Sequence, residues 1–333
     1  MTTPPLAAVI GIAGLALDAA EVELIRRHPP AGVILFGRNI ADRVQLAALV
    51  GSLRAILPCG GRLMVDQEGG RVARLRPPHW LEHPPAAAIG RLHAHDPEAG
   101  CRAAYLTGAL IGADCAAAGF DVACAPVLDR CVPGADGIIG DRSFGADAEA
   151  IVPLAAAIAD GLLAAGVQPV GKHAPGHGRA GADSHLAMPE LDRLDEADLE
   201  PFRALAWLPW MMTAHILYRD ADPLWPATLS CGILQGVVRG RIGFDNLLIS
   251  DDLAMQALTG PAGTRAARAL QAGCDLALHC SGVLSESADV LARVPPLTEA
   301  ALGRIGRADA LAAGRRIALD LASLAEEREQ LLC

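Results

Sequence analysis

Eight times along the chain a short apolar run gives way to a segment whose apolar residues recur at helical spacing. The runs cover residues 7–13, 32–36, 62–65, 120–125, 168–171, 211–214, 246–250 and 275–278. Helical patterns over 42–56 (with Asp42 as N-cap), 97–118, 147–165, 195–206, 230–239 and 264–272 lie between them. This alternation marks parallel β/α units. Asp66, Asp129, Lys172, His173, His215, Asp251 and His279 each follow an apolar run directly. A doubly wound open sheet gathers such strand ends only near its switch point, whereas a closed barrel brings all of them to one mouth. The expected fold is therefore a (β/α)8 TIM-type barrel, a single catalytic domain over residues 1–333. Residues 76–85 read as a long loop after the third strand, and a helical tail from about residue 296 is expected to pack on the outside of the barrel.

Composition removes several function classes. A formal charge of −10, a pI near 5.4 and no run of basic residues argue against a nucleic-acid surface. No apolar run reaches the ~18 residues of a membrane span. The nine cysteines are scattered without a CxxC pair, so reduced thiols in a cytoplasmic protein are expected rather than a disulfide scaffold or metal cluster. The apolar N-terminal stretch has no basic residue before it and is followed at once by Asp18 and Glu21, which reads as a buried strand and not a signal segment. Its Gly11-x-x-Gly14 spacing is too loose for a dinucleotide fingerprint, and no cofactor, metal or obligate protein partner is expected.

The stretch from 170 to 189, VGKHAPGHGRAGADSHLAMP, carries the densest set of chemical groups. Of 28 basic residues all but Lys172 are arginine, and retention of one compact ammonium points to a tight polar pocket. The Gly-, Ala- and Pro-rich loop that follows is expected to bury almost nothing, leaving its polar groups for binding or chemistry. In Asp183-Ser-His185 the two side chains can share one side, so the carboxylate can hold the imidazole as a proton donor; an Asp capping nearby amides is the competing reading. His173 and His177 have the four-residue spacing of zinc-binding helices, but Pro175 and Gly176 break any helix, and His177 is expected to orient the loop through backbone bonds. Asp251 and Asp252 should point to opposite faces, one into the barrel mouth and the other to a cap. Asp66 with Arg74, and Arg142 in GDRSFG, fit either a sugar's vicinal hydroxyls or structural ion pairs.

In order, DQEGGRVAR, APVLD, GDRSFG, KHAPGHG with ADSH, MTAHILY and ISDDLAM resemble the bacterial β-N-acetylhexosaminidases of glycoside hydrolase family 3, over about residues 32–282. The resemblance implies an exo-acting retaining hydrolase that removes terminal β-linked N-acetylglucosamine, with cell-wall muropeptides or chitooligosaccharides as saccharide substrates and peptidoglycan recycling in the cytoplasm as its setting. It implies Asp251 as nucleophile, His185 as acid/base assisted by Asp183, and Asp66, Arg74, Arg142, Lys172 and His173 as sugar-binding residues. Ala174 departs from the pattern, standing where a bulkier apolar residue is common. A phosphorylase on the same framework, a non-catalytic sugar-binding sensor and a zinc hydrolase are the alternatives.

Overall fold

The computed structural model describes residues 4–132, 134, 137–181, 184 and 187–332. Eight parallel strands form the barrel: β1 (Leu6–Gly11), β2 (Pro30–Leu35), β3 (Arg62–Val65), β4 (Val122–Ala123), β5 (Gln168–Ala174), β6 (Trp210–Thr213), β7 (Leu247–Ile249) and β8 (Ala277–His279). Each pairs with its sequence neighbour, and β8 returns to β1 with Val9 opposite Leu278. Between β7 and β8 the Ser250 amide donates to Leu276 O at 3.0 Å, which joins the remaining edges.

The strands are apolar on both faces because both are covered. Val9, Ile34, Met64, Val170, Met212 and Leu278 pack into one cluster inside the barrel. Residues of the other parity, such as Ile10, Val33, Leu35 and Val65, join the larger cluster beneath the helices. Two of these helices begin and end where their sequence says they should. Asp42 caps α2 (Arg43–Arg54) by accepting from the Gln45 amide at 2.8 Å, and α4 (Pro97–Ala118) has Pro97 in its first turn and Gly119 at φ +88° after its last.

The structure departs from the sequence reading at several elements. Helices α1 (Ala19–Arg27), α3 (Ala86–His95) and α8 (Leu284–Arg293) are present in addition to the helical patterns named above. They are short, and α1 rests on a capping box between Asp18 and Glu21 rather than on a long apolar stripe. The segment expected to be an α-helix over 230–239 is a π-helix at Gly232–Arg241; glycines at 232, 236 and 240 weaken the tighter α form. The fourth strand spans two residues instead of six, its run continuing as the single bridge from Val127 to Lys172. After α5 (Ala148–Ala164), α6 (Glu196–Ala204) and α7 (Ala262–Ala272), helices α9 (Glu299–Arg315) and α10 (Leu321–Leu332) lie against the outside, α10 beside α4 through a two-bond Arg102–Glu327 pair at 2.7 and 2.6 Å.

Candidate active site

The site grows from the end of β3. Asp66 follows Val65 directly, and Glu68 emerges two residues later. The chain then reverses at Gly69, where φ is +104° and a Cβ would meet Pro84 O at 2.5 Å, so a side chain is excluded. Buried Gln67 staples the returning strand by accepting from the amides of Arg74 and Leu75 at 2.6 and 3.0 Å. That brings Arg74 Nη2 to 2.7 Å from Asp66 Oδ2.

Lys172 leaves β5 almost wholly buried, with Nζ 2.6 Å from Asp66 Oδ1 and 2.5 Å from Glu68 Oε1. Arg142, from the turn at Gly140–Arg142, donates twice to Glu68 at 2.8 Å. Five charges thus alternate in sign: Arg74, Asp66, Lys172, Glu68, Arg142. Adjacent strand residues ordinarily face opposite ways, yet Lys172 and His173 serve the same cavity. The pairing of β5 with β6 slips between Gly171 and Ala174, and the peptide joining Lys172 to His173 is cis.

Asp251 stands beyond β7 on the far side of the barrel sequence from Asp66. Its amide donates to Thr213 Oγ1 at 3.2 Å, and its Oδ1 accepts from the Asp252 amide at 2.8 Å. Both aspartates line the cavity, but they differ in what they hold. Asp252 Oδ1 turns back to the amides of Ala254 and Cys280 at 2.8 and 2.9 Å. Beneath them His215 donates from Nε2 to Asp252 O over 2.9 Å and bonds Thr228 Oγ1 through Nδ1 over 2.8 Å, which locks the turn.

Asp66, Arg74, Arg142, Lys172, His173 and Asp251 all line one cavity of about 110 Å³. Asp183 and His185 lie outside the described residues; Ser184 between them is buried, lines the same cavity, and accepts the Ala257 amide on its carbonyl at 3.2 Å. The loop is not the bare connection its composition suggests. Residues 174–178, Ala180 and Ser184 are buried, because small side chains let this backbone lie directly on its neighbours: a Cβ at Gly178 would meet Arg130 O at 1.6 Å. His177 does bond through its backbone, donating to Asp129 Oδ1 at 2.6 Å, but its ring also lines the cavity, with Nε2 3.4 Å from Ser184 Oγ.

The electrostatics favour charged carboxylates. Burial pushes Asp66 and Glu68 upward, but the Lys172 charge, with Arg74 for Asp66 and Arg142 for Glu68, outweighs it and holds both below their ordinary values. The same pairing keeps Lys172 protonated against its own burial. For Asp251, burial is again overcome, here by His173, His215, the Asp252 amide and Lys172. His177 and His215 are lowered by burial.

Two groups have no assigned role in the sequence reading. Glu68 sits inside the quoted DQEGGR motif at the same-side spacing from Asp66, which was a usable signal; Asp129 is visible only as a polar strand end. The partners that give each its meaning lie far along the chain.

A parallel barrel with a charge-lined cavity at the C-terminal ends of its strands belongs to the class of barrel enzymes that bind polar substrates at that mouth. The glycosyl hydrolase family 3 N-terminal domain model matches residues 6–315. Curated β-hexosaminidases are similar: that of Alkalilimnicola ehrlichii is 40% identical over 281 residues, covering 82% of this chain and 80% of its own, and that of Tolumonas auensis 41% over 288, covering 82% of each. The crystal structure of NagZ from Neisseria gonorrhoeae in complex with N-trifluoroacetyl-D-glucosamine superposes with a TM-score of 0.87 at 30% identity over 99% of both chains. The chain belongs to glycosyl hydrolase family 3 and is a glycoside hydrolase.

Proposed function

We propose that this enzyme is a retaining exo-β-N-acetylglucosaminidase acting on terminal non-reducing β-linked N-acetylglucosamine, with the whole chain as one catalytic unit. The β-hexosaminidase names of its relatives and the glucosamine derivative bound by the Neisseria gonorrhoeae protein support that substrate class. Cell-wall muropeptides in cytoplasmic peptidoglycan recycling are the proposed natural source; among the described residues no helix is long and apolar enough to cross a membrane.

Asp251 attacks the anomeric carbon while His185, paired with Asp183, protonates the departing glycosidic oxygen. The neutral imidazole then takes a proton from water, whose oxygen displaces Asp251 and releases the sugar with its configuration retained. Asp66, Arg74, Arg142, Lys172 and His173 bind the hydroxyls. Most retaining glycosidases use two carboxyl groups ~5–5.5 Å apart; here an imidazole replaces one of them. The observation that carries the proposal is a buried Asp251 carboxylate, held ionised, in the same cavity as the alternating charges that suit a sugar. Ser184 in that cavity supports an acid/base from residues adjoining it.

A slow fluorosugar substrate followed by peptide mass spectrometry should leave a glycosyl group on Asp251. Label on another residue would remove Asp251 as nucleophile. The same reaction in phosphate buffer should yield free sugar; sugar phosphate as the main product would favour the phosphorylase.

A further inference from the structure

Asp129, after β4, has its side chain fully enclosed and does not itself line the cavity. Its two oxygens nevertheless govern two groups that do. Oδ2 is 2.6 Å from His173 Nδ1 and accepts the His173 amide at 3.1 Å, while Oδ1 accepts the His177 amide at 2.6 Å. His177 is where the chain sets out toward Asp183 and His185.

We infer that Asp129 is a positioning residue that couples sugar recognition to the acid/base loop, fixing the His173 ring with its acceptor toward the sugar and anchoring the loop at His177. A carboxylate only accepts, so in the neutral ring the proton sits on Nδ1 and the lone pair on Nε2 faces the cavity. The other neighbour agrees: Arg142 Nη2, which can only donate, lies 3.5 Å from Nε2. His173 therefore accepts from a sugar hydroxyl.

An asparagine here has one acceptor oxygen for three donors, so it must abandon either the ring or the loop, and its NH2 drives the proton from Nδ1 to Nε2. Only the kinetic arm of the test rests on the hydrolase reading. Nitrogen-15 NMR of histidine-labelled enzyme, with the His173→Gln spectrum as assignment, should show the neutral His173 ring as the Nδ1–H tautomer. In Asp129→Asn it should shift to Nε2–H while kcat/KM falls about 100-fold, the scale of a misplaced reacting group. An Nε2–H tautomer or a persistent imidazolium in the unaltered enzyme overturns the inference, and that spectrum decides even if the variant fails to fold. A folded Asp129→Asn variant with unchanged tautomer, or with kcat/KM within about twofold of the parent, also overturns it. An enzyme that hydrolyses no β-N-acetylglucosaminide but shows the expected tautomer leaves the positioning role standing and removes the substrate assignment alone.

Discussion

Lys172 is where residue chemistry and composition meet. In a chain that otherwise uses arginine, a lone ammonium lies between two carboxylates at 2.6 and 2.5 Å with its side chain 3% exposed. Arginine in that space would carry the same charge on a wider planar group, and its fork would have to displace Asp66 or Glu68 from Arg74 or Arg142. Lys172→Arg is expected to lower kcat/KM by about tenfold or more, because the charged groups that line the cavity move together. Lys172→Met leaves two buried carboxylates without their shared counter-charge and should cost about 3–5 kcal/mol of stability, the range for breaking a buried pair by removing one partner. Kinetics and urea denaturation check both; a Lys172→Arg enzyme with parental rate and midpoint would mean that charge alone matters here. The cavity-lining Asp66, Lys172, His173 and Asp251 were legible in sequence because each stands at a strand end, where barrel topology dictates direction. The roles of Glu68 and Asp129 were not: spacing puts Glu68 on the side of Asp66, but what either carboxylate supports depends on its partner, and Glu68 meets Arg142 while Asp129 meets His173, 74 and 44 positions away.

At the scale of elements, the loop after β5 is built as a clamped stem. Asp198, from α6 and 2% exposed, receives Arg179 of the loop at 2.6 Å and Arg130 of the β4 loop at 3.2 Å, and Tyr218 OH donates to Gly176 O. At the other end the short parallel pair of Glu190–Leu191 with Leu217–Tyr218 closes the stem. Asp198→Ala strands two partly buried guanidinium groups and is expected to cost about 3–5 kcal/mol, with faster proteolytic cleavage near Arg179. Gly178→Ala leaves every charge in place but pushes a methyl group into Arg130 O, so it should speed the same cleavage; equal protease resistance in both variants and the parent would show that the stem is held elsewhere. This packing explains why the loop misled a reading of composition: glycine and alanine signal exposure when they lack partners, and close backbone contact when a neighbouring chain covers them. The barrel strands gave no such ambiguity. Their apolar runs have one use in a chain of this pattern, whereas α1, α3 and α8 are short helices that draw most of their stability from packing.

For the whole molecule, titration of buried histidines links pH to the stability of the fold. Arg328 of α10 donates to His83 Nδ1 at 2.9 Å and to Glu82 O at 3.1 Å, and His83 Nε2 lies 3.3 Å from Asp114 of α4. The last helix is thereby tied to the loop that follows Arg74. A proton on Nδ1 would break the bond from Arg328 and set two cations together. Burial, followed by the Arg328 charge, lowers the His83 pKa despite the opposing bond to Asp114. His177, His215 and His279 are lowered as well, with burial as the largest cause in each. The unfolded chain then binds more protons than the folded one as pH drops through ~6.5, so stability is full above that value and is lost on acidification. Asp66, Glu68, Asp129 and Asp251 are also depressed; they act in the same direction, but only from about pH 4 downward. The denaturation midpoint should therefore fall in two stages, the first already visible between about pH 7 and 5. His83→Gln keeps an acceptor for Arg328 and a donor for Asp114 without a titrating ring. Its midpoint should fall less over that first stage, and amide exchange in α10 should become less sensitive to acid. Parallel midpoint curves for parent and variant would place the acid response in the three other histidines and leave α10 without a part in it.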